Sequence, residues 1–160
     1  MGENEQVISE FYQAFQRHDG AAMAALYHGE AKFSDPVFPD LDGAGAGAMW
    51  EMLTAGGGDL RVEFKDVQAD GEEGSARWEA WYTFPATKRE VHNVIEARFE
   101  FREGKIIRHV DDFDFWRWSR QALGPVGVIL GWTPFLKKKV QAQAARGLAR
   151  WRAKRGPADE

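Results

Sequence analysis

Between Val94 and Trp118 the sequence VIEARFEFREGKIIRHVDDFDFWRW alternates apolar and polar residues at period two, which constrains the fold more than any other stretch. Ile95, Ala97, Phe99 and Phe101 stand against Glu96, Arg98, Glu100 and Arg102, as in a strand with one buried face. Glu103-Gly104 supplies a tight turn. On the return arm the same period puts Ile107, His109, Asp111, Phe113 and Phe115 on one face, and Ile106, Arg108, Val110, Asp112, Asp114 and Trp116 on the other. A hairpin of two long strands is expected, its aromatic face carrying a histidine and a carboxylate two residues apart. A buried charge is costly unless paired or wetted, so Asp111 needs a partner, a cavity or an exposed strand end.

Helical spacing precedes this hairpin. Asn4 to His18 gathers Val7, Ile8, Phe11, Tyr12 and Phe15 on one helical face, and Asp19 is placed to cap a short helix from Gly20 to Tyr27. A brief strand, Ala31 to Ser34, runs into Asp35-Pro36, where proline ends regular pairing. A third helix spans about Ala46 to Thr54 and is closed by glycines. The GAGAG run before it reads as a flexible connection and close helix packing, since no strand precedes it and no lysine is near. Alternation resumes with Leu60, Val62 and Phe64, turns at Asp70-Gly71, and continues from Ser75 to Phe84 with Trp78, Ala80, Tyr82 and Phe84 inward and Arg77 and Glu79 opposite. The expected fold is α+β, with three N-terminal helices packed on a curved antiparallel sheet that includes a meander of about four strands.

A chain of 160 residues, 44% hydrophobic and 13% aromatic, fits one globular core. With no cysteine, disulfide and thiolate chemistry are excluded. No three histidines or carboxylates stand at metal-ligand spacing, and no cofactor is expected. The polar start, MGENEQVISE, lacks the features of a secretory signal, so a cytoplasmic protein is expected. The net charge of -4 conceals an asymmetry: residues 1–114 hold 11 Lys plus Arg against 23 Asp plus Glu, whereas 115–160 hold 10 against 2.

The stretches FYQAFQRHDGAAMAALYHGEAKFSDPVF at 11–38 and FREGKIIRHVDDFDF at 101–115 resemble the nuclear transport factor 2-like superfamily, whose SnoaL-like cyclases, ketosteroid isomerases and limonene epoxide hydrolases share a cone-shaped fold. The resemblance covers about residues 5–116, and the superfamily mixes enzymes with plain binding modules. It implies that Asp35, ahead of Pro36, corresponds to the general base of the isomerases, and that Asp111 corresponds to the catalytic aspartate near the end of the last strand in hydrolases and cyclases. His109 would assist by orienting or accepting a proton. Phe11 stands where the isomerases place an oxyanion-hole tyrosine, with Tyr12 beside it, and Phe33 stands where the hydrolases place a tyrosine. Trp50, Trp78, Tyr82, Phe99 and Phe113 are the expected pocket walls, joined by Phe11, Tyr12 and Phe33. The implied function is a small-molecule binder acting as isomerase, cyclase or hydrolase through a carboxylate base on a hydrophobic substrate. The alternative is a non-catalytic ligand-binding or interaction module. Members of this fold commonly dimerise through the sheet, so a homodimer is expected.

The resemblance divides the chain into a cone at 1–118 and an extension at 119–160. Within the extension, GPVGVILGW is far shorter than the roughly 20 residues that span a bilayer. Thr133-Pro134 then opens a helix with Leu136, Val140, Ala144, Leu148 and Trp151 in one stripe and basic residues around the remainder. Docking on the acidic body or a second subunit is the first reading of this helix. An anionic membrane surface, through residues 133–155, is the second, and nucleic acid is the least favoured.

Overall fold

The computed structural model describes residues 2–56 and 58–155. Met1, Gly57 in the glycine run expected to close the third helix, and the end of the chain at 156–160 lie outside the described residues. The chain begins with α1 (Glu3–Gln16), which buries Val7, Ile8, Phe11, Tyr12, Ala14 and Phe15 and holds Glu3 and Glu5 in its first turn, the end that favours negative charge. Asp19 accepts a hydrogen bond from the Ala22 N–H and caps α2 (Gly20–Ala24), as its position suggests. That helix stops before Tyr27, which instead opens β1 (Tyr27–Ser34). The strand's first half hides from a periodicity reading because its pairing is irregular between Tyr27 and Lys32.

A two-residue edge strand, β2 (Leu41–Asp42), leads directly into α3 (Gly43–Ala55), capped by the Asp42 carboxylate, which accepts from the Gly45 N–H at 2.7 Å. The GAGAG run is therefore helical itself, with Gly45, Ala46 and Gly47 buried, rather than a flexible connection. The meander follows as β3 (Arg61–Asp70), β4 (Glu73–Phe84), β5 (Arg89–Arg102) and β6 (Lys105–Asp112). Glu103 and Gly104 both take positive φ, 56° and 77°, the geometry of a tight two-residue hairpin turn, and Arg102 pairs with Lys105 across it.

The six strands lie in the order β2-β1-β6-β5-β4-β3. Neighbours are antiparallel except β1 and β6, which run parallel, so the sheet is mixed rather than purely antiparallel. The expected alternation holds through β5, where Ile95, Ala97, Phe99 and Phe101 are buried. On β6 it fails once. Phe101 pairs with Ile106 while Glu100 pairs with Arg108, so Ile107 is an extra residue, and Ile106 rather than Ile107 faces the core. The second arm is also shorter than expected. It stops at Asp112, and the Asp114 carboxylate caps α4 (Phe115–Leu123) by accepting from the Arg117 N–H, which takes Phe113 and Phe115 off the strand face.

The helices α1 and α3 and the inward faces of β1 and β3–β6 enclose one aromatic core. A second, smaller cluster joins Val91 of β5 to Phe115, Trp118 and Ala122 of α4. After α4 come α5 (Pro125–Leu130) and α6 (Pro134–Arg155). Thr133 caps α6, its Oγ1 accepting from the Leu136 N–H at 3.3 Å. The stripe read from the sequence is the face that α6 turns inward: Leu136 and Leu148 are buried, and Val140, Ala144 and Trp151 are half-buried. Leu148 joins the aromatic core, Arg155 pairs with Glu51 of α3, and Gln141 donates to the Pro36 carbonyl at 2.9 Å. This helix thus lies across α3 and the Asp35-Pro36 turn.

Candidate active site within the cone

The deepest polar group is on β6. Period two puts His109 and Asp111 on the inward face of an interior strand, with His109 fully buried and Asp111 3% exposed. His109 Nε2 lies 2.9 Å from Asp111 Oδ1, and its Nδ1 lies 2.8 Å from the hydroxyl of Tyr27, which in turn accepts from Trp50 Nε1–H at 2.8 Å. With Asp111 ionised, one arrangement gives every donor in this row an acceptor. Trp50 donates to Tyr27, Tyr27 donates to His109 Nδ1, and a neutral His109 donates from Nε2 to Asp111. Trp78 Nε1–H also points at Asp111 Oδ1, at 3.4 Å. The need for a partner at Asp111 is thus met by its neighbour on the same strand.

That row leaves two polar atoms over. Asp111 Oδ2 and the Tyr12 hydroxyl are buried without a hydrogen-bond partner, as are Arg77 Nε and Trp151 Nε1 elsewhere among the described residues. Asp111 and Tyr12 both adjoin Trp78: Tyr12 packs on its ring at 5.9 Å between centroids, and Asp111 accepts from its indole N–H. Burial, and then the charge of Asp111, push the Tyr12 phenol well above its ordinary value. Tyr27 is raised by burial, held down by its bond from Trp50, and raised further by Asp111 and Asp35. Orphaned polar atoms are rare in protein interiors and call for a functional or structural account.

Asp35 lies nearer the surface, in the turn after β1, and is half-buried. Its Oδ1 accepts from the N–H groups of Val37 at 2.7 Å and Phe38 at 2.6 Å, the Asp-Pro turn expected of a purely structural aspartate. Oδ2 takes no part in that turn. Burial pushes the Asp35 carboxyl up to about 7; the Phe38 N–H opposes this, the charge of Asp111 adds to it, and the Val37 N–H opposes it again. Tyr82, raised by burial, lowered by its bond from Trp118 and raised by the charge of Asp35, stands on the same side. Val37, Tyr82 and Phe113 pack into both apolar clusters, and Val140 of α6 joins them in the smaller one.

Of the expected wall residues, six converge. The rings of Phe11, Phe33, Trp50 and Phe99 lie 5.5, 5.0, 6.3 and 4.4 Å from that of His109, and Tyr12 and Trp78 adjoin them. Tyr82 and Phe113 do not; they stand at the junction with the smaller cluster, where Trp118 Nε1–H donates to the Tyr82 hydroxyl at 2.8 Å. The six pack against one another and His109 rather than around an open chamber. Two surface depressions lie outside the cone, one beside α4 at Arg89, Arg117 and Arg120, the other along β3–β6 at Gln68, Arg98 and Arg108. Among the described residues no three histidine or carboxylate groups are close enough to share a cation. Sequence reasoning missed Tyr27 and the cover that Val140 and Gln141 place beside Asp35. Neither carries a local signal, because each depends on pairing across many residues of chain.

The sequence matches the SnoaL-like domain over residues 8–109, well over half of the chain. The chain belongs to the SnoaL-like domain family. No curated protein matches it. Solved structures similar to this SnoaL-like chain include an NTF2-like protein of unknown function from Burkholderia pseudomallei (18% identity, TM-score 0.65, covering 76% of this chain and 98% of that one). An LEH-like epoxide hydrolase from Mycobacterium tuberculosis is similar at 19% identity and TM-score 0.61, covering 80% of this chain and 96% of that one. A putative polyketide cyclase from Xanthomonas campestris pv. campestris is similar at 18% identity and TM-score 0.62, covering 74% and 96%. Likeness at this identity establishes the fold. The family match ends at His109, so Asp111 and everything from α4 onward lie beyond it.

Proposed function

We propose that this SnoaL-like chain binds a hydrophobic small molecule at the end of the cone covered by α6 and acts on it by carboxylate acid–base chemistry. The observation that carries this reading is a carboxyl at Asp35, raised by burial and by the charge of Asp111, near an Asp111 whose Oδ2 is buried without a partner. Asp35 is the proton-transferring group. With its carboxyl raised to about 7 it exists in both forms near neutrality, as a general base or acid requires. Asp111, fixed by His109 and Trp78, is the second carboxylate; its Oδ2 and the Tyr12 hydroxyl, buried without a partner, would meet a polar atom of the substrate only once the rings and the cover beside them shift. Abstraction of an acidic C–H, or activation of water against an epoxide or carbonyl, fits this pair. An epoxide hydrolase and a putative polyketide cyclase among the similar structures agree with such chemistry. We take residues 1–118 as the reacting unit and 119–160 as its cover, which must shift to admit substrate.

One observation favours a second reading, that of a non-catalytic module. The aromatic rings fill the interior and α6 occupies its end. A panel of apolar epoxides and β-keto aromatics separates the two. The enzyme reading predicts turnover that is half-maximal near pH 7 and falls by about a hundredfold or more in Asp35→Asn. Unchanged turnover in both Asp35→Asn and Asp111→Asn would sink it. No turnover together with an apolar ligand retained in native mass spectrometry would establish the second.

A further inference from the structure

The short helix α5 is built inside out. Its small residues face the protein and its large apolar ones face solvent. A Cβ on Gly127 would lie 2.0 Å from the Ser119 carbonyl oxygen, and one on Gly131 would lie 2.0 Å from Ser119 Oγ, so only glycine at both positions lets α5 lie against α4 this closely. The contact fixes the rotation of α5 and leaves Val126 and Val128 51% exposed and Ile129 66% exposed. Trp132 and Phe135, in the connection to α6 and its first turn, are each 70% exposed. With Leu130, 38% exposed, six large apolar side chains within ten residues of sequence form a patch that core packing does not explain.

The polar groups beneath the patch are already satisfied. The last carbonyls of a helix ordinarily need water. Here the Val128 carbonyl accepts from Trp116 Nε1–H at 3.3 Å, the Ile129 carbonyl from Trp132 Nε1–H at 2.9 Å, and the Leu130 carbonyl from the Thr133 N–H at 2.9 Å and from its hydroxyl. Pro125 opens the helix without an N–H. The C-terminal end of α5 can therefore leave water without stranding a backbone acceptor, the condition for entering lipid.

Charge completes the picture. Among the described residues, 115–155 carry ten Lys and Arg and no Asp or Glu. Lys137, Lys138 and Lys139 follow the patch directly on α6. Arg120 stacks on the Trp116 ring at 4.4 Å and, with Arg117, Arg89 and Lys88 against the single carboxylate of Glu90, borders the depression beside α4. The stripe of α6 itself is spent on the body, the first reading of that helix, so its apolar face is not the surface available to a membrane. No helix among the described residues is long and apolar enough to cross a membrane.

We propose that α5 and its flanks, Val126 to Phe135, seat in an anionic lipid surface, with the basic residues of α4 and the start of α6 against the headgroups. Apolar side chains, interfacial tryptophans and adjoining cations are what such a surface recognises. The full chain is sedimented with vesicles of phosphatidylcholine alone and of phosphatidylcholine mixed with phosphatidylglycerol. Binding should be at least about tenfold tighter to the mixed vesicles and should weaken with salt. Ile129→Glu/Trp132→Glu should abolish it, and Lys138→Gln/Lys139→Gln, which leaves the apolar patch intact, should weaken it several-fold with unchanged thermal melting. Absence of binding, equal binding to both vesicle types, or binding indifferent to these substitutions would overturn the proposal. A dimer that the Ile129→Glu/Trp132→Glu variant converts to monomers, without vesicle binding in the parent, would overturn it too and assign the patch to a second copy of the chain.

Discussion

The two aspartates of the site have opposite surroundings although the charge of Asp111 acts on the Asp35 carboxyl. Asp111, at the floor, sits on an interior strand with Oδ1 tied to His109 and Trp78, inside a shell of rings. Asp35, at the mouth, sits on a turn held by backbone N–H groups, half-buried beside α6. Asp111 is fixed by its partners, whereas burial raises the Asp35 carboxyl to about 7, beside a turn that Gln141 of α6 holds through the Pro36 carbonyl. Asp111 is held in the interior by its hydrogen bonds, while burial and the charge of Asp111 raise the Asp35 carboxyl against the pull of its turn N–H groups.

The largest effect should come from breaking the floor. His109→Ala removes a ring that packs on Phe11, Phe33, Trp50 and Phe99, deprives the Tyr27 hydroxyl of its acceptor, and leaves Asp111 with the long Trp78 bond alone. A cost of about 4 kcal/mol in urea unfolding is expected. The mouth should respond in the other direction. The folded carboxyl of Asp35, raised from 3.8 to about 7, binds more protons than the unfolded one between those limits. The stability it contributes is therefore complete below pH 3.8 and is lost as pH rises through about 7. Asp35→Asn keeps an acceptor for the turn and removes the charge. It should raise stability by about 2 kcal/mol at pH 8, less than the full linkage because the group is partly solvated, and change little at pH 4. The smallest effect should come from the cover. Gln141→Ala deletes one bond to the Pro36 carbonyl, costs about 1 kcal/mol or less, and speeds amide exchange at Val37 and Phe38 without affecting the β6 amides.

Local patterning made much of this legible. The inward row of β5, the caps at Asp19 and Thr133, the stripe of α6 and the adjacency of His109 and Asp111 all arise from spacings of four residues or fewer. Where the reading failed, a non-local or competing term intervened. A bulge at Ile107 exchanged two isoleucines between faces, since a single inserted residue reverses period two without altering composition. Asp114 ended the strand by capping α4, a signal present in the sequence but outweighed by the alternating aromatics around it. The role of Tyr27 could not be read, because it depends on the parallel pairing of β1 with a strand about 80 residues away. The orientation of α5 was hidden for the opposite reason, since burial rules predict the apolar side chains inside and glycine outside.

The central claim, that mouth and floor share one electrostatic interior, can be tested without a substrate. The side-chain carboxyl of Asp35 is titrated by NMR in the parent protein and in Asp111→Asn. The structure predicts a midpoint near 7 in the parent, raised mainly by burial, and a lower one once the charge of Asp111 is gone. A parent midpoint in the ordinary carboxylate range, about 4, or a midpoint unmoved by Asp111→Asn, would contradict it.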